Sequence, residues 1–144
     1  MQSSLSTPAH PELHITEQDH RRLRAVVERF IDGRHAAAAE ALETELDRAR
    51  VVPQDEIDPD VLTMRSRALC VDRETGTQRE LVLVYPDEAD VSSGKISVLA
   101  PVGLALLGLR VGDTIRWPTP RGRDAVLELL ELRYQPEADG AYEL

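Results

Sequence analysis

The chain has 144 residues, with 26 acidic against 17 basic side chains and a formal net charge of −9 at pH 7. That length suits one domain with a real core, and that charge argues against direct, sequence-specific DNA binding, which draws affinity from neutralising phosphates. The single cysteine, Cys70, excludes an intramolecular disulfide, and its strand-like surroundings read as those of a buried structural thiol.

Residues 1–14 are polar, contain Pro8 and Pro11, and read as a flexible N-terminus without the charged and apolar regions of a signal peptide. A helix is expected next, with Thr16 as its cap and Asp19 at the capping-box position. Leu23, Val26, Val27 and Phe30 follow on one stripe. Asp32, Gly33 and Arg34 turn the chain into a second helix, about His35 to Arg50, with Ala38, Leu42, Leu46 and Ala49 on its stripe. Residues 15–52 therefore read as a short antiparallel helical hairpin. Leu23, Val27, Leu42 and Leu46 form its expected seam, and the hairpin is expected to be breakable separately from the β part of the chain.

Val51 to Val61, with two prolines and four acids, reads as a linker into a second part, residues 53–144. There the periodicity changes. Residues 63–71 and 78–85 read as strands around the turn 72–77, 95–99 as a third strand, and "GDTIRW" as the start of a fourth. In residues 126–135 Leu and Glu favour helix, while the position after a hairpin turn favours strand; strand is chosen. The run Ile96–Val111 is shorter than the ~18–20 residues of a spanning helix and is interrupted by Pro101 and Arg110. It reads instead as strand, short helix and strand. Pro101 occupies the first helical position, Gly108 ends the helix, and the helix covers one face of an antiparallel sheet. No membrane contact is expected, and the compartment expected is the cytoplasm.

The chemistry-bearing residues are sparse. Asp87-Glu88-Ala89-Asp90 spells a helicase tetrapeptide, but no phosphate-binding loop accompanies it, so it reads as a solvated acidic loop. His10, His14, His20 and His35 all lie in the first third, with no cysteine cluster to complete a metal site. Arg110, Arg116, Arg121 and Arg123 gather around Trp117, which reads either as an interface anchor or as a solvated hairpin face over a core tryptophan. No catalytic residue, metal or cofactor emerges, so an interaction protein is expected rather than an enzyme.

The pattern "ISVLAPVGLALLGLRVGD" resembles the C-terminal domain of the Gre transcript-cleavage factors, and "YPDEADVSSGK" resembles the acidic loop leading into it. "ALETELDRARVV", "DVLTMRSR", "LVLVYP" and "LELLELRYQPEADGAYEL" are closer still to a Gre-like group, the regulators of nucleoside diphosphate kinase (Rnk). The resemblance implies an α+β fold: a helical hairpin, or short coiled coil, on an FKBP-like antiparallel β domain with one short helix. It implies binding to RNA polymerase at the rim of its secondary channel, with docking through Ala100, Pro101, Val102, Gly103 and Leu104 and the acidic loop at Asp87 and Asp90. Ala100 stands where Gre factors commonly carry serine.

Three functional readings are open. The first is a polymerase-binding regulator that competes with Gre-type factors. The second is a direct or indirect modulator of nucleoside diphosphate kinase. The third, a prolyl isomerase suggested by the FKBP-like fold, lacks an evident aromatic pocket. Gre factors carry two acids three apart at the arm tip, where they help hold polymerase's catalytic Mg²⁺. Here the tip has Asp32, Gly33 and Arg34, with Arg29 and His35 nearby and Glu28 four residues before Asp32. A helix from Thr16 to Ile31 spans about 24 Å, shorter than the long family arms. No stimulation of transcript cleavage is expected.

Overall fold

The computed structural model describes residues 13–117, 122 and 124–141. Thr16 caps the first helix as its spacing to Asp19 predicts: its backbone is extended, and its Oγ1 accepts a hydrogen bond from the Asp19 N–H at 3.0 Å. Helix α1 runs Glu17–Phe30 and helix α2 runs Ala36–Arg48, joined by the turn at Asp32, Gly33 and Arg34. Leu23, Val27, Leu42 and Leu46 are all buried and form the seam. Ala39, rather than Ala38, completes it on α2.

Two segments expected to be loose are tied down. Strand β1 (His14–Thr16) precedes α1, strand β2 (Arg50–Val52) follows α2, and the two pair in parallel with His14 opposite Arg50. Residues 13 and 14 therefore belong to the fold rather than to a flexible terminus. Leu13 and Ile15 are buried, and the Arg50 N–H donates to the Leu13 carbonyl at 2.7 Å. The expected linker is held as well: Ile57 is buried, and the Arg110 guanidinium reaches Asp58 at 3.1 Å and Asp60 at 3.3 Å. Its prolines and acids shape a fixed turn, because the acids have a local cation and Ile57 has a core to enter.

The second part is a five-stranded sheet of β3 (Arg67–Asp72), β4 (Gln78–Val84), β5 (Lys95–Ser97), β6 (Thr114–Trp117) and β7 (Ala125–Tyr134), in the order β5-β4-β3-β7-β6. The turn at 72–77 joins β3 and β4 as expected. The sheet is mixed, which corrects the expectation of a purely antiparallel one. Residues 85–94 carry the chain through two tight 3₁₀ turns back to Val82, so β5 runs parallel to β4, with Val82 opposite Lys95. β7 is a strand against its helical propensity. It lies between β3 and β6, and Leu127 and Leu129 point from alternate positions into the core.

Helix α3 (Pro101–Leu106) has Pro101 in its first turn, and Gly108 follows with φ +79, the left-handed conformation of a terminating glycine. Among the described residues one apolar cluster runs through both parts. Leu13, Ile15, Leu23, Leu42 and Leu46 from the hairpin side share it with Leu62, Met64, Leu83, Val98, Leu106 and Leu129. The buried core thus crosses the boundary at residues 52–53. The hairpin does not stand as an isolated arm on a separate body.

Candidate docking surface and arm

Of the predicted docking residues, Ala100, Pro101, Val102, Gly103 and Leu104 fall at one corner, where β5 hands over to α3. Gly103 is buried and packs its helix directly onto β5: a Cβ there would meet the Ser97 carbonyl oxygen at 1.8 Å. This close approach leaves Pro101 and Ala105 exposed and Val102 and Leu104 half-buried, an apolar face next to the sheet edge. Ala100 occupies the N-cap with extended backbone and offers no side-chain acceptor, so α3 starts without a capping hydrogen bond. The Leu104 N–H nevertheless returns to the Ala100 carbonyl at 2.9 Å.

The acidic loop is organised rather than merely solvated. Glu88 takes a two-pronged contact from Arg65, at 3.2 and 2.8 Å, and this pairing holds the Glu88 carboxyl below its ordinary range. Arg65 also lies over the Tyr85 ring and adopts a left-handed backbone, φ +67, that non-glycine residues seldom take. Asp87 pairs with Arg29 of α1 at 3.1 Å, although both side chains are largely exposed. Asp90 accepts from the Ser92 hydroxyl at 2.7 Å, which lowers its carboxyl pKa. Asp87 and Asp90 thus share a loop but not a direction of contact: one meets the arm, the other its own turn. A cavity of about 460 Å³ lies between α1 and this loop, lined by Arg22, Val26, Arg29, Arg65, Tyr85 and Glu88 among others.

At the arm tip Asp32, Gly33 and Arg34 are all exposed, and a Cβ on Gly33 would meet nothing within 4 Å. Phe30 makes an edge-on contact with His35, and Arg29 lies over the Phe30 ring. Of the predicted arginine group, Arg110 is engaged with Asp58, Asp60 and the His14 ring, and Arg116 faces Asp124 at 4.0 Å. Trp117 carries Arg79 over its ring instead. Arg121 and Arg123 lie outside the described residues. His20 contacts the Leu46 carbonyl oxygen at 3.2 Å, so the histidines with described positions serve the arm and its base.

Sequence reading missed a buried polar group under the hairpin. Asp19 is 3% exposed and Glu137 8%. Asp19 accepts from the Met64 N–H at 3.1 Å, and Glu137 accepts from the Thr63 hydroxyl at 2.7 Å. Burial first, and the Glu137 charge second, push the Asp19 carboxyl up to about 7. The capping-box spacing drew notice to Asp19. Its burial against residues more than forty positions away left no local signal.

The region from the base of α2 through β7, residues 48–134, matches the family model described as transcription elongation factor GreA/GreB, C-terminal. Residues 11–52 match the model of the Rnk N-terminus. A regulator of nucleoside diphosphate kinase from Escherichia coli (strain K12) is 51% identical over 104 residues, covering 72% of this chain and 76% of that protein. The chain belongs to the Rnk branch of the GreA/GreB family. A transcription elongation factor GreA from Thermodesulfovibrio yellowstonii is 37% identical over 91 residues, 63% of this chain and 55% of that protein. A solved prokaryotic transcription elongation factor GreA/GreB from Nitrosomonas europaea superposes with a TM-score of 0.76 at 40% identity, over 87% of this chain and all of that one. The GreA/GreB match contains all the predicted docking residues, and the Rnk N-terminal match contains the arm tip. The Rnk-type hairpin is short: the 14 residues of α1 span about 21 Å at 1.5 Å per residue. Among the described residues no helix is long and apolar enough to cross a membrane.

Proposed function

We propose that this Gre-related regulator works without catalysis of its own, by binding RNA polymerase at the rim of the secondary channel and excluding Gre-type factors from it. The observation that carries the reading is the corner at Ala100–Leu104. Gly103 fixes α3 against β5, and the exposed Pro101 and Ala105 present a rigid apolar face within the region that matches the GreA/GreB model. Rigid apolar faces flanked by charge suit protein partners, because little ordering entropy opposes their docking. Asp87 and Asp90, exposed on the loop before β5, supply charge in the same matched region. The hairpin enters the channel mouth but stops short of the catalytic centre, so competition rather than cleavage is the outcome.

The test is co-purification of the full chain with core polymerase, with Pro101→Asp as the variant. Pro101 is exposed, so the substitution leaves the core intact while placing a charge on the docking face. Binding at micromolar concentrations that Pro101→Asp abolishes, together with displacement of a Gre factor, supports the reading. Absence of binding by the parent chain rejects it.

The name carried by the 51%-identical relative favours a second reading, a modulator of nucleoside diphosphate kinase. A direct effect predicts altered kinase turnover when the two purified proteins are mixed without polymerase. An indirect effect, through transcription, predicts none.

A further inference from the structure

Helix α1 has a second face besides its seam. Leu23 and Val27 are buried in the seam, while Arg22, Ala25, Val26 and Arg29 follow one another at i, i+3, i+4 and i+7 on a neighbouring stripe. That stripe is one wall of the cavity of about 460 Å³, and Arg65 with the turn from Tyr85 to Glu88 is the other. The volume falls within the range of small-molecule sites, roughly 300–1,000 Å³. Ala25, Val26, Pro86 and the Tyr85 ring make part of the lining apolar. Three guanidinium groups and two carboxylates complete it, so the cavity carries a net positive charge in a chain whose formal charge is −9. The far wall is fixed in advance. Arg65 Nε and Nη2 donate to the two oxygens of Glu88, and Glu88 Oε1 also accepts from the Tyr85 N–H at 3.4 Å. The Arg65 guanidinium lies 5.1 Å from the centre of the Tyr85 ring, on a left-handed backbone that its surroundings must hold in place. Burial first, and the Asp19 charge second, keep the Tyr85 phenol above its ordinary range, so it adds no negative charge to the cavity.

We propose that this cavity binds a small phosphate-bearing molecule with a flat or apolar body, the phosphate displacing Asp87 from Arg29 and the body packing on Val26 and Tyr85. The two ion pairs of the cavity differ in the way this requires. Arg65 is gripped by both oxygens of Glu88 and stays where it is, lending charge to the site. Arg29 meets Asp87 through a single contact of 3.1 Å, with both side chains largely exposed. A pair of that kind is weak and exchanges readily. A free carboxylate would offer Arg29 only what Asp87 already gives. A phosphate monoester carries a charge of about −1.5 to −2 at pH 7 and three acceptor oxygens, enough to bridge more than one guanidinium. Asp87 thus acts as an internal competitor that keeps the cavity closed to weaker anions. The site belongs to this chain alone and stands whether or not polymerase is the partner.

The experiment is a titration of the full chain, followed by amide NMR shifts, with phenyl phosphate as the probe. Inorganic phosphate tests the head alone, and benzoate puts a carboxylate on the same ring. Phenyl phosphate should give saturable shifts confined to α1 around Arg22–Arg29 and to the turn at Tyr85–Glu88, and should bind more tightly than either control. Arg29→Ala should weaken it about tenfold, as the loss of a charge-assisted hydrogen bond does. Asp87→Asn removes the competitor and should tighten it about three- to fivefold. Asp90→Asn removes the same charge from the same loop, but Asp90 contacts only its own turn, so at physiological salt its effect should stay below about twofold. All three side chains are exposed, so the variants keep the fold. Shifts that do not saturate by low millimolar probe overturn the site. Equal gains from Asp87→Asn and Asp90→Asn overturn it too, since they would mean diffuse attraction only. Benzoate or inorganic phosphate binding as tightly as phenyl phosphate rejects the assigned ligand chemistry. A glutamate-rich peptide that shifts the same residues at lower concentration would give the cavity to a protein partner and overturn the small-molecule assignment.

Discussion

Gly103 lies so close to Ser97 that a Cβ on it would meet the Ser97 carbonyl oxygen at 1.8 Å and its carbon at 2.7 Å. Both obstructing atoms are backbone, so no rotamer change relieves the clash. Gly103→Ala must push α3 away from β5. The expected cost is ~1–3 kcal/mol or more, the range for overpacking a close contact, despite alanine's better helix propensity. Urea denaturation followed by far-UV circular dichroism measures it. A variant as stable as the parent would mean the close packing of α3 on β5 is not required.

Ala100 leaves α3 uncapped while holding the extended backbone that a cap residue needs. Ala100→Ser should supply the missing acceptor and raise stability by ~1 kcal/mol. The same denaturation experiment reads it, and a loss of stability would show that the half-buried site does not accept a hydroxyl.

Leu42 is fully buried at the hairpin seam, in the cluster that also holds Leu106 and Leu129. Leu42→Ala should cost ~2–5 kcal/mol. Because that cluster is continuous, helix and sheet signals should melt in one transition at a lower temperature. Two separated transitions would show that the hairpin folds as its own unit.

The exposed tip with Asp32 and Arg34, on a helix of 14 residues, predicts silence in a cleavage assay. A backtracked elongation complex given this protein and Mg²⁺ should keep its transcripts full-length, and Asp32→Ala should change nothing. A hard cation of this kind is usually held by one or two protein carboxylates together with waters and substrate oxygens. Shortened transcripts that vanish with Asp32→Ala would reassign the tip.

Arg29 and Asp87 pair across the gap between arm and acidic loop with both side chains mostly in water. Arg29→Ala should change stability by less than about 1 kcal/mol, as exposed ion pairs do. Thermal melting of the two proteins side by side measures the difference. A much larger loss would make this contact a principal brace of the hairpin.

Local chemistry carried a good part of this structure. Thr16 and the spacing to Asp19 mark the start of α1, the four-residue steps of Leu23, Val27, Leu42 and Leu46 mark the seam, and Pro101 and Gly108 bracket α3. Each of these depends on residues within a turn or two of one another, so the signal survives in a linear reading. The motif around Ala100–Leu104 was legible for the same reason, and by itself it pointed to the family. Other features depended on distant partners. The strand β7 has the composition of a helix and only its place after a turn points to strand, β5 turns parallel only because the excursion at 85–94 returns to Val82, and residues 13 and 14 look loose until β2 arrives beside them. Asp19 and Glu137 show the limit most sharply. Each is an ordinary acid in sequence, and only the meeting of chain segments more than a hundred residues apart buries both, which pushes the Asp19 carboxyl up to about 7.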